Sequence, residues 1–282
     1  MNVLFWNICK NSNIFNLISV IAKEEDIDIL LLAEFPYTDA SGRTKDYIPD
    51  MLAELKANAS MGFVYNLSTK KRVEVFYNTN TTFMEGLKDE PKLSGSKVNS
   101  IGGNVKMSLV FFHLPSKVNY DSSEQSEKSV RYREAIERYE EDYQQDHLTV
   151  VCGDFNMNPF EAGMVKAQGF HAVMDESIAK QKKRTVDGDD YRFLYNPMWG
   201  FLGDTGKGSV SGTHYYRGSK DILYFWNIYD HVLMRPEAIQ YFDKDALQIL
   251  TAKAGAYNLL SAKGLINKAI SDHLPIKFKL NI

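Results

Sequence analysis

The sequence predicts a layered α/β fold built as one domain that covers residues 1–282. Apolar runs of strand length outnumber the segments with helical spacing, and the two kinds of segment alternate along the chain. No internal repeat, low-complexity tract or linker separates two cores. The apolar fraction of 44% is ordinary for a globular protein and is sufficient for a sizeable core.

The strands are predicted from short apolar runs, which cover residues 3–8, 27–33, 63–65, 73–77, 105–112, 148–152, part of 222–234, and 274–280. Helical spacing of apolar residues predicts helices over residues 14–22, 47–57, 130–143 and 159–167, and a helix start within 236–241. The polar segment 116–129 is predicted to be a loop. Residues 175–221 lack periodicity, and an irregular segment of that length inside a compact domain is usually functional or disordered.

The charge balance restricts how the protein can bind a polyanion. Lys and Arg total 33, Asp and Glu total 36, and the net charge is −3. No global positive field exists to drive nonspecific nucleic-acid binding. A polyanionic substrate must therefore be held locally, by a basic patch or by a bound cation.

The sequence carries no sign of export or membrane insertion. Residues 1–7 lack the basic region and the long apolar region of a signal peptide, and they predict a strand instead. No apolar run approaches the ~20 residues that a membrane helix needs. We therefore expect a soluble, cytoplasmic protein that does not associate with membranes, and we infer no obligate protein partner. Cys9 and Cys152 each lie in a strand-like run and are predicted to be buried free thiols.

Polar residues stand at the ends of four predicted strands. They are Asn7, then Glu34, then Asp154 with Asn156, and finally Asp272 with His273. A carboxylate beside a buried strand is costly unless it is paired, hydrogen-bonded or metal-bound. Each residue alone fits an ordinary turn or loop, but their joint occurrence favours a functional site.

These segments resemble the endonuclease/exonuclease/phosphatase family, which has a DNase-like fold. The matching stretches are FWNI at 5–8, LLLAE at 30–34, VVCGDFNMNP at 150–159, IYDHVLM at 228–234 and SDHLPIKF at 271–278. They span almost the whole chain in the order that the family has. The resemblance implies a four-layered α/β sandwich with two packed mixed β-sheets flanked by helices, and a site at one end of the sandwich.

The resemblance also assigns roles to the polar residues. Glu34 is implied as the principal metal ligand, with Asn7 and Asp272 lining the same position. Oxygen ligands suit Mg²⁺, with Mn²⁺ as a substitute, and no Cys/His cluster suggests zinc. Asp154 is implied to orient or deprotonate the attacking water, and Asn156 to donate a hydrogen bond to a phosphoryl oxygen.

Two histidines complete the implied catalytic set. Asp230 resembles the family aspartate that pairs with His273, and a carboxylate beside an imidazole favours the charged form of the ring. His113 stands where some family members have a histidine that contacts the phosphate. In the deoxyribonuclease branch a glutamate supports this histidine. Glu74 is the nearest candidate here, although Lys71 or Arg72 could occupy that register.

Two departures argue against an abasic-site repair enzyme. Those enzymes carry a further aspartate ligand where this chain has Cys9, and His231 occupies a place often held by tyrosine or glutamine. Neither change removes the minimal site. Abasic-site endonucleases also have a tyrosine at the place of His113, which therefore looks more like the general nuclease and sphingomyelinase branches.

The segment 182–217 is predicted to decide specificity, because loops around a site usually do so. It interleaves basic and aromatic residues, which can grip phosphates and stack bases but also occur in ordinary packed loops. The favoured hypothesis is a Mg²⁺-dependent nuclease that hydrolyses DNA phosphodiester bonds, with RNA as the less favoured substrate. The alternatives are a phosphatase or phosphodiesterase acting on a small-molecule or lipid phosphate ester, and a non-catalytic binding module.

Overall fold

The computed structural model describes residues 1–39, 41–59, 62–68, 72–117, 120–219 and 221–282. The helices in this part of the chain are α1 (Phe15–Glu24), α2 (Ile48–Ala59), α3 (Ser122–Tyr143), α4 (Ala162–Val165) and α5 (Glu176–Ala179), with 3₁₀ turns at Ser12–Ile14, Pro197–Phe201 and Pro236–Tyr241.

The strands are β1 (Asn2–Asn7), β2 (Ile29–Ala33), β3 (Phe63–Asn66), β4 (Val73–Asn78), β5 (Thr82–Met84), β6 (Lys88–Asp89), β7 (Ser94–Ser100), β8 (Met107–His113), β9 (Thr149–Asp154), β10 (Ala172–Val173), β11 (Lys183–Val186), β12 (Asp189–Arg192), β13 (Leu194–Tyr195), β14 (His214–Tyr215), β15 (Trp226–Asn227), β16 (Asp230–Met234), β17 (Phe242–Ile249), β18 (Ala252–Lys253), β19 (Tyr257–Asn258) and β20 (Ile276–Leu280).

Two mixed sheets form the body of the protein. The first sheet has the strand order β17-β20-β1-β2-β4-β3, and the second has the order β10-β13-β16-β9-β8-β7-β5, with β6 paired to β7. In each sheet one pair of neighbouring strands is parallel near the centre: β1 with β2 in the first, and β8 with β9 in the second. Short hairpins of two strands, β11–β12, β14–β15 and β18–β19, project from the sheets.

Alternate residues along a strand of the second sheet face two different cores, and this defines the layers of the fold. In β8, Leu109 and Phe111 belong to the large core that also contains the first sheet, whereas Val110 and Phe112 face a second core with α3. Residues of α1 and α2, such as Ile18 and Met51, are buried on the other side of the first sheet. The resulting order is helices, sheet, sheet, helix, which confirms the predicted four-layered α/β sandwich.

One predicted loop is wrong. Of the segment 116–129, Val118 and Asn119 lie outside the described residues, but α3 already begins at Ser122. Asp121 and Glu124 form a capping box, in which each side chain accepts a hydrogen bond from the backbone N–H of the other. This motif starts a helix despite the polar sequence, because it satisfies backbone donors that the first turn leaves free.

The prediction for the cysteines is half right. Both thiols are free, and Cys152 is buried in β9, but Cys9 is exposed. The reason is that β1 ends at Asn7, and Cys9 lies in the following turn with a φ of 50°.

The segment 175–221 is also more ordered than predicted, since it holds α5, the β11–β12 hairpin and two further short strands. In the described part of the chain, no helix combines the length and apolarity needed to cross a bilayer.

A buried ion pair ties α3 to the far end of β16. The guanidinium of Arg235 donates from Nε and Nη2 to both carboxylate oxygens of Glu140 at 2.8–3.1 Å, and both side chains are 1% exposed. Burial alone would raise the pKa of Glu140, but the charge of Arg235 and the nearby His147 lower this pKa from 4.5 to about 2. The pair stabilises the fold only while both partners are present.

Replacing Glu140 by alanine should lower the free energy of unfolding by about 3–5 kcal/mol at neutral pH, because it leaves Arg235 buried and unpaired. Urea unfolding followed by circular dichroism measures this change. The matched control is Asp190→Ala, which removes an ion pair with Lys183 whose partners are about half exposed. That change should cost less than about 1 kcal/mol.

The same pair gives a pH dependence with a defined sign. Because the pKa of Glu140 is lowered in the folded state, the ion pair contributes fully to stability above about pH 4.5. This contribution is lost as the pH falls towards about 2. The stability difference between the wild type and Glu140→Gln should therefore shrink across this window. A difference that stays constant from pH 6 to pH 2 would contradict this account of the pair.

Candidate active site

Two strands of the first sheet end side by side at the site. β1 and β2 are parallel, and their last residues, Asn7 and Ala33, are paired. Glu34 follows Ala33 directly and has a φ of 48°. Left-handed backbone at a non-glycine residue costs free energy and is concentrated at functional positions. Asn7 is 2% exposed, and the Glu34 side chain is 30% exposed, so the pair spans from the core to the cleft.

Three strands of the second sheet bring their ends to the same place. His113 at the end of β8 pairs with Asp154 at the end of β9, and Asp154 also pairs with Asp230 at the start of β16. Gly153 allows this close approach, because a Cβ there would lie 2.1 Å from the carbonyl oxygen of Phe112. The glycine of the GDFN motif is thus required by packing between β8 and β9.

The segment before β20 is fixed against the end of β1. Ser271 Oγ donates to the carbonyl oxygen of Asn7 at 2.7 Å. Trp6 Nε1 donates to the carbonyl oxygen of His273 at 2.9 Å. These two hydrogen bonds hold Asp272, which lies between them in sequence, at the edge where the other strands end.

Asp154 is the central buried carboxylate. Asn7 Nδ2 donates to Asp154 Oδ2 at 3.1 Å and also faces Glu34 Oε1 at 3.4 Å. The backbone N–H of Asn156 donates to Asp154 Oδ1 at 2.8 Å. Burial, together with the nearby charge of Asp230, raises the pKa of Asp154 above its ordinary range. A raised pKa makes a carboxylate a stronger base.

His273 forms a close pair with Asp230. His273 Nδ1 lies 2.8 Å from Asp230 Oδ2, and His273 Nε2 lies 3.8 Å from Asp154 Oδ2. Burial alone would lower the pKa of His273, but the carboxylates of Asp230 and Asp154 raise it to about 10. The imidazole therefore carries a positive charge at neutral pH, with its orientation fixed by Asp230.

His113 lies between two carboxylates. Its Nε2 is 3.6 Å from Asp154 Oδ2 and 3.8 Å from Glu34 Oε1. β9 lies between β8 and β16, so the imidazole of His113 on β8 approaches Asp154 from the side opposite β16.

Glu74 does not support His113. Its carboxylate is buried in the first sheet and accepts hydrogen bonds from the hydroxyls of Tyr37 and Tyr65. Arg72 donates to backbone carbonyls around residue 90, away from the site. Lys71, the third residue considered for this position, lies outside the described residues. The candidacy of Glu74 and Arg72 is therefore wrong, because two tyrosines and a surface turn occupy their side chains.

Asn156 lies in the wall of the cleft with a φ of 51°, and its side-chain amide donates to the carbonyl oxygen of Leu114 at 2.9 Å. A carboxamide has two N–H donors, so this bond fixes the side chain without using its full donor capacity.

His231, by contrast, is fully buried, with Nε2 3.0 Å from the carbonyl oxygens of Met157 and Ile228. Its contacts are those of a structural residue.

Several of these side chains line one cleft with a volume of about 900 Å³. Among the described residues, its charged lining includes four carboxylates, two lysines and three imidazoles: Glu34, Asp154, Glu161, Asp272, Lys117, Lys268, His113, His214 and His273. The cleft is therefore rich in acids for a site that would hold an anion. A bound cation would reconcile an acidic lining with a phosphate group.

The oxygen donors fit a hard divalent cation. Glu34 directly follows the end of β2, and Asp272 is held beside the end of β1 by the hydrogen bonds of Ser271 and Trp6, so both carboxylates line the cleft at these strand ends. The Asn7 amide nitrogen faces the carboxylates, whereas its oxygen accepts from the backbone N–H of Cys9 at 3.1 Å. Carboxylate and amide oxygens are ligands that Mg²⁺ accepts.

The sequence did not single out several residues of the cleft. Lys117 forms an ion pair with Glu161 and lies over the ring of Tyr229 at 5.4 Å. His214 stacks on Tyr229 at 5.1 Å, and its ring centre is 4.8 Å from that of His273. Burial, then the charge of His273, lowers the pKa of His214 to about 4. The only sequence signal for His214 was its position in the segment 182–217, which interleaves basic and aromatic residues.

The basic triplet 182–184 lies away from the cleft. Lys182 Nζ is 3.4 Å from Glu237 Oε1, and Arg192 contacts the same oxygen at 3.1 Å. Glu237 follows the end of β16 that is opposite Asp230. Residues 182–192, which include the β11–β12 hairpin, are not part of the cleft lining, while His214 and Tyr216 of the segment 182–217 are. That this segment decides specificity stays a prediction.

No family model matches this chain, and no curated protein sequence matches it either. The fold, however, is shared with solved structures. An endonuclease/exonuclease/phosphatase family protein from Bacteroides thetaiotaomicron superposes with a TM-score of 0.55 at 13% identity, over 99% of this chain and 97% of that one. A mannosyl-6-phosphatase from the same organism gives a TM-score of 0.54 at 12% identity, over 99% of both chains.

A third structure, D. rerio TDP2 complexed with a single-strand DNA product, gives a TM-score of 0.53 at 17% identity, over 100% of this chain and 99% of that one. At such low identity the likeness shows the fold. The chain therefore has the fold of the endonuclease/exonuclease/phosphatase family, which confirms the resemblance that its motifs predicted.

Proposed function

We propose that this chain is a Mg²⁺-dependent phosphoric ester hydrolase, and that DNA is its favoured substrate. The observation that carries the proposal is the group formed by Asp154, His273 and Asp230, where a buried carboxylate faces a charged imidazole across 3.8 Å. A base and a cationic hydrogen-bond donor at this spacing suit in-line attack of water on a phosphorus atom.

Asp154 acts on the water. Its two oxygens are held by the Asn7 amide and the Asn156 backbone N–H, so the carboxylate cannot rotate away from the cleft. In the proposed reaction it orients the attacking water and accepts one of its protons as the new P–O bond forms. The bond from phosphorus to the leaving oxygen breaks on the opposite side, and that oxygen is protonated by solvent. Its burial favours the protonated product of that step.

His273 and Asn156 act on the phosphoryl oxygens. The Nε2–H of charged His273 donates to a nonbridging oxygen, where negative charge increases in the transition state. Asp230 keeps the ring charged and oriented through Nδ1. The amide of Asn156 donates to a second oxygen without adding negative charge to the cleft. His113 contacts the phosphate from the neighbouring strand.

Glu34 and Asp272 would hold the metal ion, and Asn7 would line the same position, with its amide nitrogen towards Glu34 and Asp154 and its oxygen bonded to the Cys9 N–H. A Mg²⁺ ion held by these residues would supply charge neutralisation for the phosphate and for the leaving oxygen. The acidic lining of the cleft supports a cation, because an unassisted phosphate would meet more carboxylates than lysines. Mn²⁺ is expected to substitute.

The proposal of DNA, and of RNA as a weaker substrate, is supported by a wide cleft and by the single-strand DNA product with which one structural neighbour is complexed. A phosphatase or phosphodiesterase acting on a small-molecule or lipid phosphate ester is the second candidate. The net charge of −3, the distance of the basic triplet from the cleft and a neighbour named as a mannosyl-6-phosphatase favour it. A non-catalytic module is disfavoured, because the implied catalytic residue types are present. The cytoplasmic location and the single domain stay predictions.

Supercoiled plasmid should be nicked in the presence of Mg²⁺ or Mn²⁺ and left intact with EDTA. The same reactions contain single-stranded DNA, RNA and a panel of phosphomonoesters, and products are followed by gel and by phosphate release. Phosphate release without nicking would favour the second candidate, and silence on every substrate would end the proposal.

Glu34→Gln should raise the Mg²⁺ concentration for half-maximal activity at least about tenfold, whereas Glu141→Gln, on the exposed face of α3, should not.

Asp154→Asn should lower turnover by about 10²–10⁴-fold, because it removes the proton acceptor while keeping a side chain of nearly the same size. Initial rates of plasmid nicking measure the effect, and circular dichroism checks that the variant is folded. Asp190→Asn, on an exposed hairpin, is the control with wild-type rates. A near-normal rate for Asp154→Asn would remove the proposed mechanism.

His273→Gln and Asp230→Asn should each lower kcat strongly, and the double variant should be little slower than His273→Gln alone. This non-additivity is expected because Asp230 acts through the imidazole, and without the ring it has nothing to orient. Rates for the wild type, both single variants and the double variant form the complete cycle. Multiplicative losses would show that Asp230 contributes independently of His273.

A further inference from the structure

Exposed aromatic side chains gather at the mouth of the cleft. We call Phe160, Tyr216, Tyr224 and Phe225 the aromatic rim; their exposed fractions are 37%, 41%, 56% and 45%. Ile222, which is 73% exposed, lies beside them. Single exposed apolar residues are common on protein surfaces, but a group of them beside a site indicates binding.

The rim is built on a hairpin that is fixed to the catalytic residues. β14 and β15 pair His214 with Asn227 and Tyr215 with Trp226, and His214 is also bridged to His273 through its backbone. Next to this hairpin, the Tyr216 N–H donates to the carbonyl oxygen of Phe225 at 2.9 Å. The rim therefore has a defined position relative to the phosphate site.

Phe160 packs against Tyr224 of the rim. Its ring meets that of Tyr224 edge to face at 5.2 Å, and it is 6.5 Å from the ring of Trp199. Tyr224 is thus held in place by an aromatic neighbour while more than half of it stays exposed. Tyr216 and Tyr224 both line the cleft that contains Asp154 and His273.

We propose that the aromatic rim stacks an unpaired nucleobase of a single-stranded nucleic acid whose scissile phosphate lies in the cleft. This rests on the proposed hydrolase function and names the form of its substrate. Aromatic side chains beside a site that holds a phosphate give sequence-tolerant contacts to bases, because every base has a π-face. In a duplex those faces are covered by neighbouring base pairs, so a single strand fits better.

The composition of the loop argues against a membrane as the occupant. The five residues between Tyr216 and Ile222 are Arg, Gly, Ser, Lys and Asp, so the middle of the loop is polar in sequence. The apolar residues follow on the returning arm, where Ile222 and Tyr224 line the cleft. A membrane-docking loop would instead carry its apolar residues where they could enter the lipid first.

The test measures binding separately from hydrolysis. Full-length Asp154→Asn protein with Mg²⁺ is titrated against a short fluorescein-labelled oligothymidylate, and against a strand of equal length and charge that lacks bases. Fluorescence anisotropy gives both affinities, and a gel confirms that the strands remain intact. Adding Tyr224→Ala should weaken binding of the oligothymidylate by about tenfold and leave the baseless strand unchanged. Tyr224→Phe should retain binding of both strands.

The matched control is Phe83→Ala, because Phe83 is 48% exposed on β5, the edge strand of the second sheet and outside the cleft lining. It should change neither affinity. Equal weakening of both strands by Tyr224→Ala, or no weakening, would overturn the stacking site. If the protein sediments with phosphatidylcholine–phosphatidylserine vesicles and Ile222→Asp abolishes this sedimentation, the stacking proposal is overturned in favour of membrane binding. Base-dependent binding without hydrolysis of any ester by the wild type would instead refute the proposed function.

Discussion

The contact between Asp230 and His273 joins the two sheets at the edge where the cleft opens. Asp230 begins β16 of the second sheet, and His273 precedes β20 of the first. The Asn7–Asp154 hydrogen bond crosses between the same sheets. A face-to-face sandwich packs mainly through non-directional apolar contacts, so these polar contacts define how the strand ends are aligned. The cleft, the imidazole of His273 and the buried carboxylate of Asp154 all depend on that alignment.

Much of the sandwich was predictable because its central strands are continuous apolar runs. Such runs, as at Ile29–Ala33 and Thr149–Asp154, give a strong signal for buried strands, and the motifs GDFN and SDHLP gave their order. The start of α3 was missed because its first turns are polar, and the capping box at Asp121 outweighed that pattern. Cys9 was misplaced because a run of apolar residues does not show where the backbone leaves the strand.

Contacts across the cleft were harder to predict than the residues that end strands. Residues 182–184 are the basic start of the segment 182–217, but Lys182 contacts Glu237 and Lys183 pairs with Asp190 rather than lining the cleft. Glu74 has the right residue type for a partner of His113, yet two tyrosine hydroxyls hold it inside the other sheet. The aromatic rim combines Phe160 with residues more than fifty positions later, and no local pattern signals that encounter.

The hydrogen bond from Trp6 to His273 spans 267 positions of the sequence. Chains are made from the amino end, so every nascent chain carries the Asn7 and Glu34 part of the cleft long before its imidazole partner leaves the ribosome. β1 lies between β2 and β20, and this central strand therefore has an unpaired edge until β20 has been translated. A truncation before residue 273 would leave that edge exposed, together with a cleft that lacks the imidazole of His273.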